Sequence, residues 1–175
     1  MKIVDLSHPI VSGMLTYPGL PSPVITEFMT REESREQYEE PTEFQIARIE
    51  MVANTGTYVD VPFHRYESGQ DLETFPLRKL VDLDGVVIDV TGATERQIDL
   101  EPSDVKGRAV LFRTGWSRHW GEDAYRSGPY PFIGEELAGS LVDAGAVLVG
   151  IDSLNIDDNR LRSRPAHSIL LGAQV

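Results

Sequence analysis

The segment at residues 54–64 carries the densest set of side chains that could do chemistry. It reads Asn-Thr-Gly-Thr-Tyr-Val-Asp-Val-Pro-Phe-His. In an extended chain alternate side chains point to the same side. Asn54, Tyr58, Asp60 and His64 share one parity, so an extended segment predicts that they converge on one pocket.

Asp60 and His64 are the two residues of this set best suited to metal binding or acid–base catalysis. A carboxylate oxygen and an imidazole nitrogen can bind a divalent metal, and the same pair can act as an orienting acid and a general base. The alternative is structural: Asp60 would cap a turn and His64 would make an ordinary hydrogen bond. Spacing alone leaves these alternatives open.

The elements that must position this segment are strands with one clear helix. Near-continuous apolar runs at 85–90, 108–113 and 146–151 predict strands covered on both faces. Alternation over 44–52 predicts a strand with a bulge that leads into Asn54, and the spacing at 134–145 predicts a helix. The polar segment 31–40 suits a mobile surface loop or a weakly anchored helical turn. Together these elements predict an α/β fold with a mixed sheet.

Length and composition limit the class of protein further. A chain of 175 residues fits one domain over 1–175. A net charge of −12 argues against nucleic acid and anionic membranes as partners. There are no cysteines, so a metal site would use nitrogen and oxygen ligands. No targeting or membrane-spanning pattern is seen, which predicts a cytoplasmic protein.

The central segment also resembles a known motif, His-x-Gly-Thr-His-x-Asp-x-Pro-x-His, with Gly56, Thr57, Asp60, Pro62 and His64 in register. This is the motif of the cyclase family, which includes bacterial kynurenine formamidases and isatin hydrolases. Five shorter motifs in the family's order support the resemblance: Asp-Leu-Ser-His-Pro at 5–9, Tyr-Pro-Gly at 17–19, Arg-Thr-Gly-Trp at 113–116, Gly-Ile-Asp-Ser at 150–153 and Arg-Pro-Ala-His at 164–167.

The resemblance implies a swivelling β/β/α-type fold and a homodimer or higher homo-oligomer, with a site completed across a dimer interface. It implies hydrolysis of a small-molecule substrate, an amide, formamide or lactam of the N-formylkynurenine type, by a metal-activated water. Asp60, His64 and His167 match metal-binding positions, with Zn²⁺ or Mn²⁺ as the ion. His64 or His167 would then transfer the proton.

Two departures from the motif leave alternatives open. Asn54 and Tyr58 stand where the motif has histidines, which implies that the metal position defined by those histidines is lost. Tyr58 and Asn54 could instead donate hydrogen bonds to a substrate oxyanion, giving a metal-free pocket with Tyr58 catalytic and Asn54 substrate-binding. The resemblance also places a glutamate ligand beyond Val175, so either a C-terminal tail is lacking or the site has three ligands.

Trp116 and Tyr17 complete the predicted site as substrate contacts. Trp116 could line an aromatic pocket, and core packing is its alternative. The acidic run 152–158 lacks the glycine and glutamate of a calcium loop and is interpreted as a turn. The function predicted from all of this is a hydrolase of C–N bonds other than peptide bonds. A non-hydrolytic biosynthetic cyclase or dehydratase, or a ligand-binding protein, is the alternative.

Overall fold

The computed structural model describes residues 4–175, and its chain contacts divide into two compact units. The first is Met1–Val59 and the second is Asp60–Val175. The single domain over 1–175 stays a prediction. Across the described residues every helix is too short or too polar to cross a bilayer.

The first unit is built on a two-stranded antiparallel ribbon. Strand β1 is Val24–Met29 and strand β2 is Ile46–Glu50. The predicted strand over 44–52 is therefore confirmed with narrower bounds. The predicted bulge exists, but the register shift lies between Glu27 and Met29 of β1 and not in β2.

Helix α1, Arg31–Gln37, joins the two strands. Of the two alternatives predicted for 31–40, the helical turn was correct and the mobile loop was wrong. The Thr30 hydroxyl accepts a hydrogen bond from the Glu33 backbone N–H at 3.2 Å, and the Glu33 carboxylate accepts one from the Thr30 N–H at 2.7 Å. This reciprocal capping box stabilises a helix that has no apolar stripe. Ser34 is fully buried and accepts a hydrogen bond from the Phe44 N–H, so the helix is anchored.

The second unit contains a parallel sheet in the order β3-β5-β7. Its strands are β3, Gly85–Asp89, β5, Ala109–Arg113, and β7, Leu148–Ile151, which confirms the three predicted strands. The predicted coverage of both faces suits β5, which is mostly buried, but was wrong for β3, where Val87 is 61% exposed. Strands β4, Gln97–Ile98, and β6, Phe132–Ile133, form a separate parallel pair. The α/β class is confirmed, with parallel and antiparallel pairings in different sheets.

Three α-helices complete the second unit: α2 at Asp123–Ser127, α3 at Glu135–Asp143 and α4 at Pro165–Gly172. The main core lies where α3 and α4 meet the parallel sheet. It is made of buried side chains such as Val110, Phe112, Ile133, Leu141 and Leu170. This core fixes the start of α4 relative to the strands, which matters because α4 carries a site histidine.

Candidate metal centre

Asp60 and His64 are brought together by a short 3-10 turn and not by an extended strand. The turn is Pro62–His64, and Pro62 occupies its first position, where the fixed proline φ suits a helical start. Val61 and Pro62 are buried, while His64 is 41% exposed. The turn brings His64 Nδ1 to 3.5 Å from Asp60 Oδ1. The alternation expected from an extended segment was wrong at Gly56, whose φ is +70°, and again beyond Val61, although it paired Asp60 with His64.

His167 reaches the same place from α4, about a hundred residues further along the chain. It lies in the first turn of that helix, behind Pro165 and the left-handed residue Arg164. Its Nε2 lies 3.7 Å from Asp60 Oδ2, and its ring centroid is 5.9 Å from that of His64. One ligand atom from each of Asp60, His64 and His167 lies within 4.8 Å of the others. The structure thus brings all three predicted metal ligands together.

Asp157 is the functional residue that the sequence analysis missed. Its side chain is 1% exposed, and its Oδ2 lies 2.5 Å from His167 Nδ1. The same carboxylate accepts hydrogen bonds from the backbone N–H groups of Ala166 at 2.8 Å and His167 at 3.1 Å. Because a carboxylate only accepts, Nδ1 of His167 carries the proton and Nε2 is left facing Asp60.

The turn that contains Asp157 was predicted correctly, since its N–H bonds to Asn155 Oδ1 at 2.8 Å as in an Asx turn. What the turn does for the site was not predicted. A carboxylate behind a metal-binding histidine usually orients the ring and strengthens it as a ligand. The spacing of Asp157 to His167, ten residues, gives no local pattern that would reveal the contact.

The carboxylates of the cluster favour the positively charged form of the His167 imidazole. Burial of the His167 ring, the largest single influence, lowers its pKa. The hydrogen bonds and negative charges of Asp157 and Asp60 outweigh burial and raise that pKa to about 9. Burial likewise raises the pKa of Asp157, but its hydrogen bonds from His167 and Ala166 bring the net pKa below its ordinary value. Asp60 and Asp157 thus place two negative charges beside the single imidazole of His167.

A set of hydrogen bonds joins the 3-10 turn to α4. Arg65 donates from Nε to Ser168 Oγ at 3.1 Å and from a terminal guanidinium nitrogen to the Ser163 carbonyl at 3.2 Å. The Tyr66 hydroxyl donates to the Ser168 carbonyl at 2.7 Å. These bonds link the residues directly after His64 to the helix that carries His167. They hold the two histidines in one arrangement before any ligand arrives.

The donor set fits a divalent metal ion. With metal–ligand bonds of about 2.1 Å and tetrahedral geometry, ligand atoms stand roughly 3.4 Å apart. His64 Nδ1 lies 3.5 Å from Asp60 Oδ1 and His167 Nε2 lies 3.7 Å from Asp60 Oδ2, both close to that value, and the three ligand atoms lie within 4.8 Å of one another. One carboxylate and two imidazoles suit zinc and are compatible with manganese. These three ligands by themselves leave a coordination position open, as catalytic sites require.

Asn54, Tyr58 and Tyr17 all belong to the first unit. Asn54 and Tyr17 are half-buried there, and Tyr58 is exposed. Their roles in catalysis and substrate binding stay predictions.

Trp116 lies in a core cluster, as its alternative interpretation held. It is buried with Tyr130 and Phe132, and its indole N–H donates to the Tyr125 carbonyl at 3.2 Å. Trp116 thus packs in the core through most of its surface, and its role as a substrate contact stays a prediction.

Asp152 explains why two of the short sequence motifs occur together. It follows β7, and its carboxylate accepts hydrogen bonds from the backbone N–H groups of Thr114 at 2.7 Å and Gly115 at 2.9 Å. Gly115 has a φ of +75°, a left-handed conformation that glycine adopts without strain. The motifs at 113–116 and 150–153 therefore form one structural brace at the end of the parallel sheet.

The fold and the Asp-His-His cluster together define an α/β protein with a candidate metal-binding site. Comparison with known proteins assigns the chain to a family. Residues 4–158 match the family model described as putative cyclase. The chain therefore belongs to the cyclase family, which confirms the resemblance seen in the sequence.

Individual relatives agree with this placement. Kynurenine formamidase from Salinibacter ruber is 27% identical over 177 residues, covering 100% of this chain and 80% of that protein. A solved potential metal-dependent hydrolase with cyclase activity is 30% identical with a TM-score of 0.75, covering 99% of this chain and 78% of the other. An isatin hydrolase bound to thioisatinate has a TM-score of 0.70 at 18% identity, covering 93% and 72%, and shows a shared fold. These similarities support a cyclase-family hydrolase.

Proposed function

We propose that this protein is a metal-dependent amidohydrolase that cleaves the C–N bond of a small amide, formamide or lactam, of the kind found in N-formylkynurenine. The observation that carries the proposal is the convergence of Asp60, His64 and His167 with Asp157 behind His167. The names of the relatives, kynurenine formamidase and metal-dependent hydrolase, support the reaction class.

Asp60, His64 and His167 would hold the ion. When bound, a divalent metal supplies an activated water at neutral pH and polarises the carbonyl under attack. Asp157 accepts the Nδ1 proton of His167, so an ion that displaces the second proton would meet the Nε2 lone pair. Asp60 offers one oxygen toward each histidine, which places it at the centre of the ligand set.

Cleavage of the amide also needs a proton for the departing nitrogen. His64 is the most exposed of the three residues, and its Nδ1 faces Asp60. If His64 holds the ion through Nδ1, its Nε2–H remains available to hydrogen-bond with substrate or solvent, and the attacking water supplies the proton that the departing nitrogen takes up. The bond between carbonyl carbon and nitrogen breaks, water supplies the new C–O bond, and the amine leaves in its neutral form.

The test is hydrolysis of an N-formyl aryl amine by the purified full-length chain loaded with zinc or manganese. We expect turnover in the wild type and its loss in His64→Ala. His119→Ala is the matched control, because His119 also lies near a carboxylate, with Nδ1 3.4 Å from Glu122, but outside the cluster. Loss of turnover in the control as well, or full turnover in metal-free protein, would contradict the assignment.

The same measurements separate the rival function, a non-hydrolytic cyclase, dehydratase or ligand-binding protein. That rival predicts no release of formate or amine under any metal loading. It predicts instead that His64→Ala weakens the affinity for a small aromatic ligand, and that neither the wild type nor the variant hydrolyses the amide.

A further inference from the structure

Positive charge is concentrated in the loop that leads into α4. The chain as a whole has 28 acidic residues against 16 basic ones. Residues 159–175 reverse this balance, with arginines at 160, 162 and 164 and no aspartate or glutamate. Charges act over about 8 Å at physiological salt, so a small anion near this loop meets a positive surface on an otherwise acidic protein.

Most arginines of this chain already have a carboxylate beside them. At least eight of the thirteen lie within 3.6 Å of one. Arg160 of the positive loop is one of these, since Asp158 binds its guanidinium group. An arginine without such a partner is therefore unusual in this protein and asks for a reason.

Arg162 is such an arginine. Its side chain is exposed, and within the described residues, 4–175, it has no hydrogen-bond or ion-pair partner. A guanidinium group carries five N–H donors in a rigid fork whose shape matches a carboxylate. The fork of Arg162 is therefore open to a ligand.

Arg65 is a second arginine without a carboxylate, and it adjoins both histidines of the metal centre. It directly follows His64, and its Nε donates to Ser168, the residue after His167. Across the part of the chain that the structure describes, its guanidinium bonds only to neutral oxygens, the Ser168 hydroxyl and the Ser163 carbonyl. Its positive charge is therefore not cancelled.

The same contacts hold Arg162 close to the metal centre. The Ser163 carbonyl, which accepts a hydrogen bond from Arg65 at 3.2 Å, belongs to the residue directly after Arg162. Neighbouring Cα atoms are about 3.8 Å apart, so the backbone of Arg162 lies next to the Arg65 guanidinium. Two uncompensated positive charges thus belong to the surroundings of the histidine pair.

We propose that Arg162, with the charge of Arg65 beside it, forms an anion subsite next to the metal centre, and that the substrate carries a carboxylate in addition to its amide. This inference names the substrate class of the proposed function and rests on that function. Arg162 would bind the carboxylate through two parallel N–H···O bonds while the amide is held at the Asp60, His64 and His167 cluster.

A carboxylate suits this subsite better than a phosphate group. One free guanidinium fork offers two parallel donors, which is what the two oxygens of a carboxylate accept. The net charge of −12 also repels a doubly charged ligand more strongly than a singly charged one. A singly charged, planar anion is therefore the expected occupant.

The test compares substrates that differ by one carboxylate. Zinc-loaded full-length protein is assayed with formanilide and with the 2-, 3- and 4-formamidobenzoates, and kcat/KM is measured for each. We expect at least one formamidobenzoate to be preferred over formanilide. Arg162→Gln should lower this preference about tenfold or more, because a charge-assisted hydrogen bond is lost. Arg162→Lys keeps the charge without the fork and should retain part of the preference.

Arg78→Gln is the matched control. Arg78 is also exposed and, among residues 4–175, likewise has no ion-pair partner, so the substitution removes the same charge. Its neighbour Lys79 donates to Gln174, which follows the end of α4 opposite to His167. Arg78→Gln should keep the wild-type preference, and circular dichroism should show that every variant is folded.

A binding measurement tests the subsite without turnover or metal. The three aminobenzoates and aniline, which are the amine products of these substrates, are titrated into metal-free protein by calorimetry. We expect an aminobenzoate to bind more tightly than aniline. Its dissociation constant should rise about tenfold in Arg162→Gln and stay unchanged in Arg78→Gln. Inorganic phosphate should bind more weakly than this aminobenzoate.

The two measurements separate the subsite from the reaction. Hydrolysis with a preference that Arg162→Gln leaves unchanged would overturn the anion subsite and leave the amidohydrolase standing. Absence of hydrolysis, with aminobenzoate binding that depends on Arg162, would overturn the amidohydrolase and support the subsite. Phosphate binding as tight as that of the aminobenzoate, and equally dependent on Arg162, would overturn the choice of a carboxylate.

Discussion

Replacing Asp157 by asparagine tests whether the buried carboxylate prepares His167 for metal binding. The substitution keeps the size of the side chain and removes its charge. Asp157 faces three donors, the N–H groups of Ala166 and His167 and the His167 Nδ1–H. The asparagine amide brings a donor of its own, so at least one of these groups must face another donor.

Two magnitudes follow from these contacts. A buried donor left without an acceptor costs about 1–3 kcal/mol, so we expect the free energy of unfolding to fall by about that amount. Loss of an orienting carboxylate behind a ligating histidine typically costs about 10–100-fold in metal affinity. That range corresponds to about 1.4–2.7 kcal/mol of binding free energy.

The assay is competitive titration of Zn²⁺ against a chromophoric chelator, with denaturant unfolding of the same samples. Asp158→Asn is the matched control: Asp158 is the next residue and is similarly buried, but its carboxylate bonds to Arg96 and Arg160. It should lose stability and keep the wild-type metal affinity. Equal zinc affinity in Asp157→Asn and the wild type would refute the role given to this carboxylate.

Further predictions concern the hydrogen bonds between the 3-10 turn and α4, the packing of that turn, and stability in acid. Tyr66→Phe removes the hydroxyl that donates to α4, and we expect about 1 kcal/mol lower stability in denaturant unfolding and weaker zinc binding by titration. Gly69→Ala should cost about 1–3 kcal/mol by the same unfolding measurement, because a Cβ would lie 2.5 Å from the Pro62 backbone carbon; a wild-type midpoint would contradict this. The Arg160 hydrogen bond lowers the pKa of Asp158 from 3.8 to about 2, so this carboxylate stabilises the fold above about pH 4, and the stabilisation is lost as the pH falls toward 2. Since Arg160 is 71% exposed and screened by solvent, we expect this stabilisation to be about 1 kcal/mol. As the pH is lowered from 4 toward 2, the free energy of unfolding should therefore fall more steeply in the wild type than in Asp158→Asn.

Much of the second unit could be predicted because its strands are continuous apolar runs, although only β5 is mostly buried and Val87 of β3 is 61% exposed. The apolar runs of β3, β5 and β7 leave little choice of conformation, and α3 shows helical spacing before the glycine at 145. Helix α4 was missed because it is apolar on several sides, with Ala166, Leu170 and Leu171 all buried, so no stripe of one period stands out.

The candidate site could be predicted in part for a different reason. Asp60 and His64 are close in sequence, so a single turn is enough to join them. Asp157 and His167 meet through a loop and a left-handed residue, Arg164, whose conformation no local pattern dictates. Contacts of this type depend on how the core places α4, and a single sequence does not reveal that placement.

The most direct test of the metal centre is to locate the ion itself. Crystals of the full-length chain grown with Mn²⁺ would be measured at a wavelength where manganese scatters anomalously. We expect one anomalous peak per chain within about 2.2 Å of Asp60, His64 and His167. Manganese bound to the protein at any other position, with these three side chains free of it, would contradict the account.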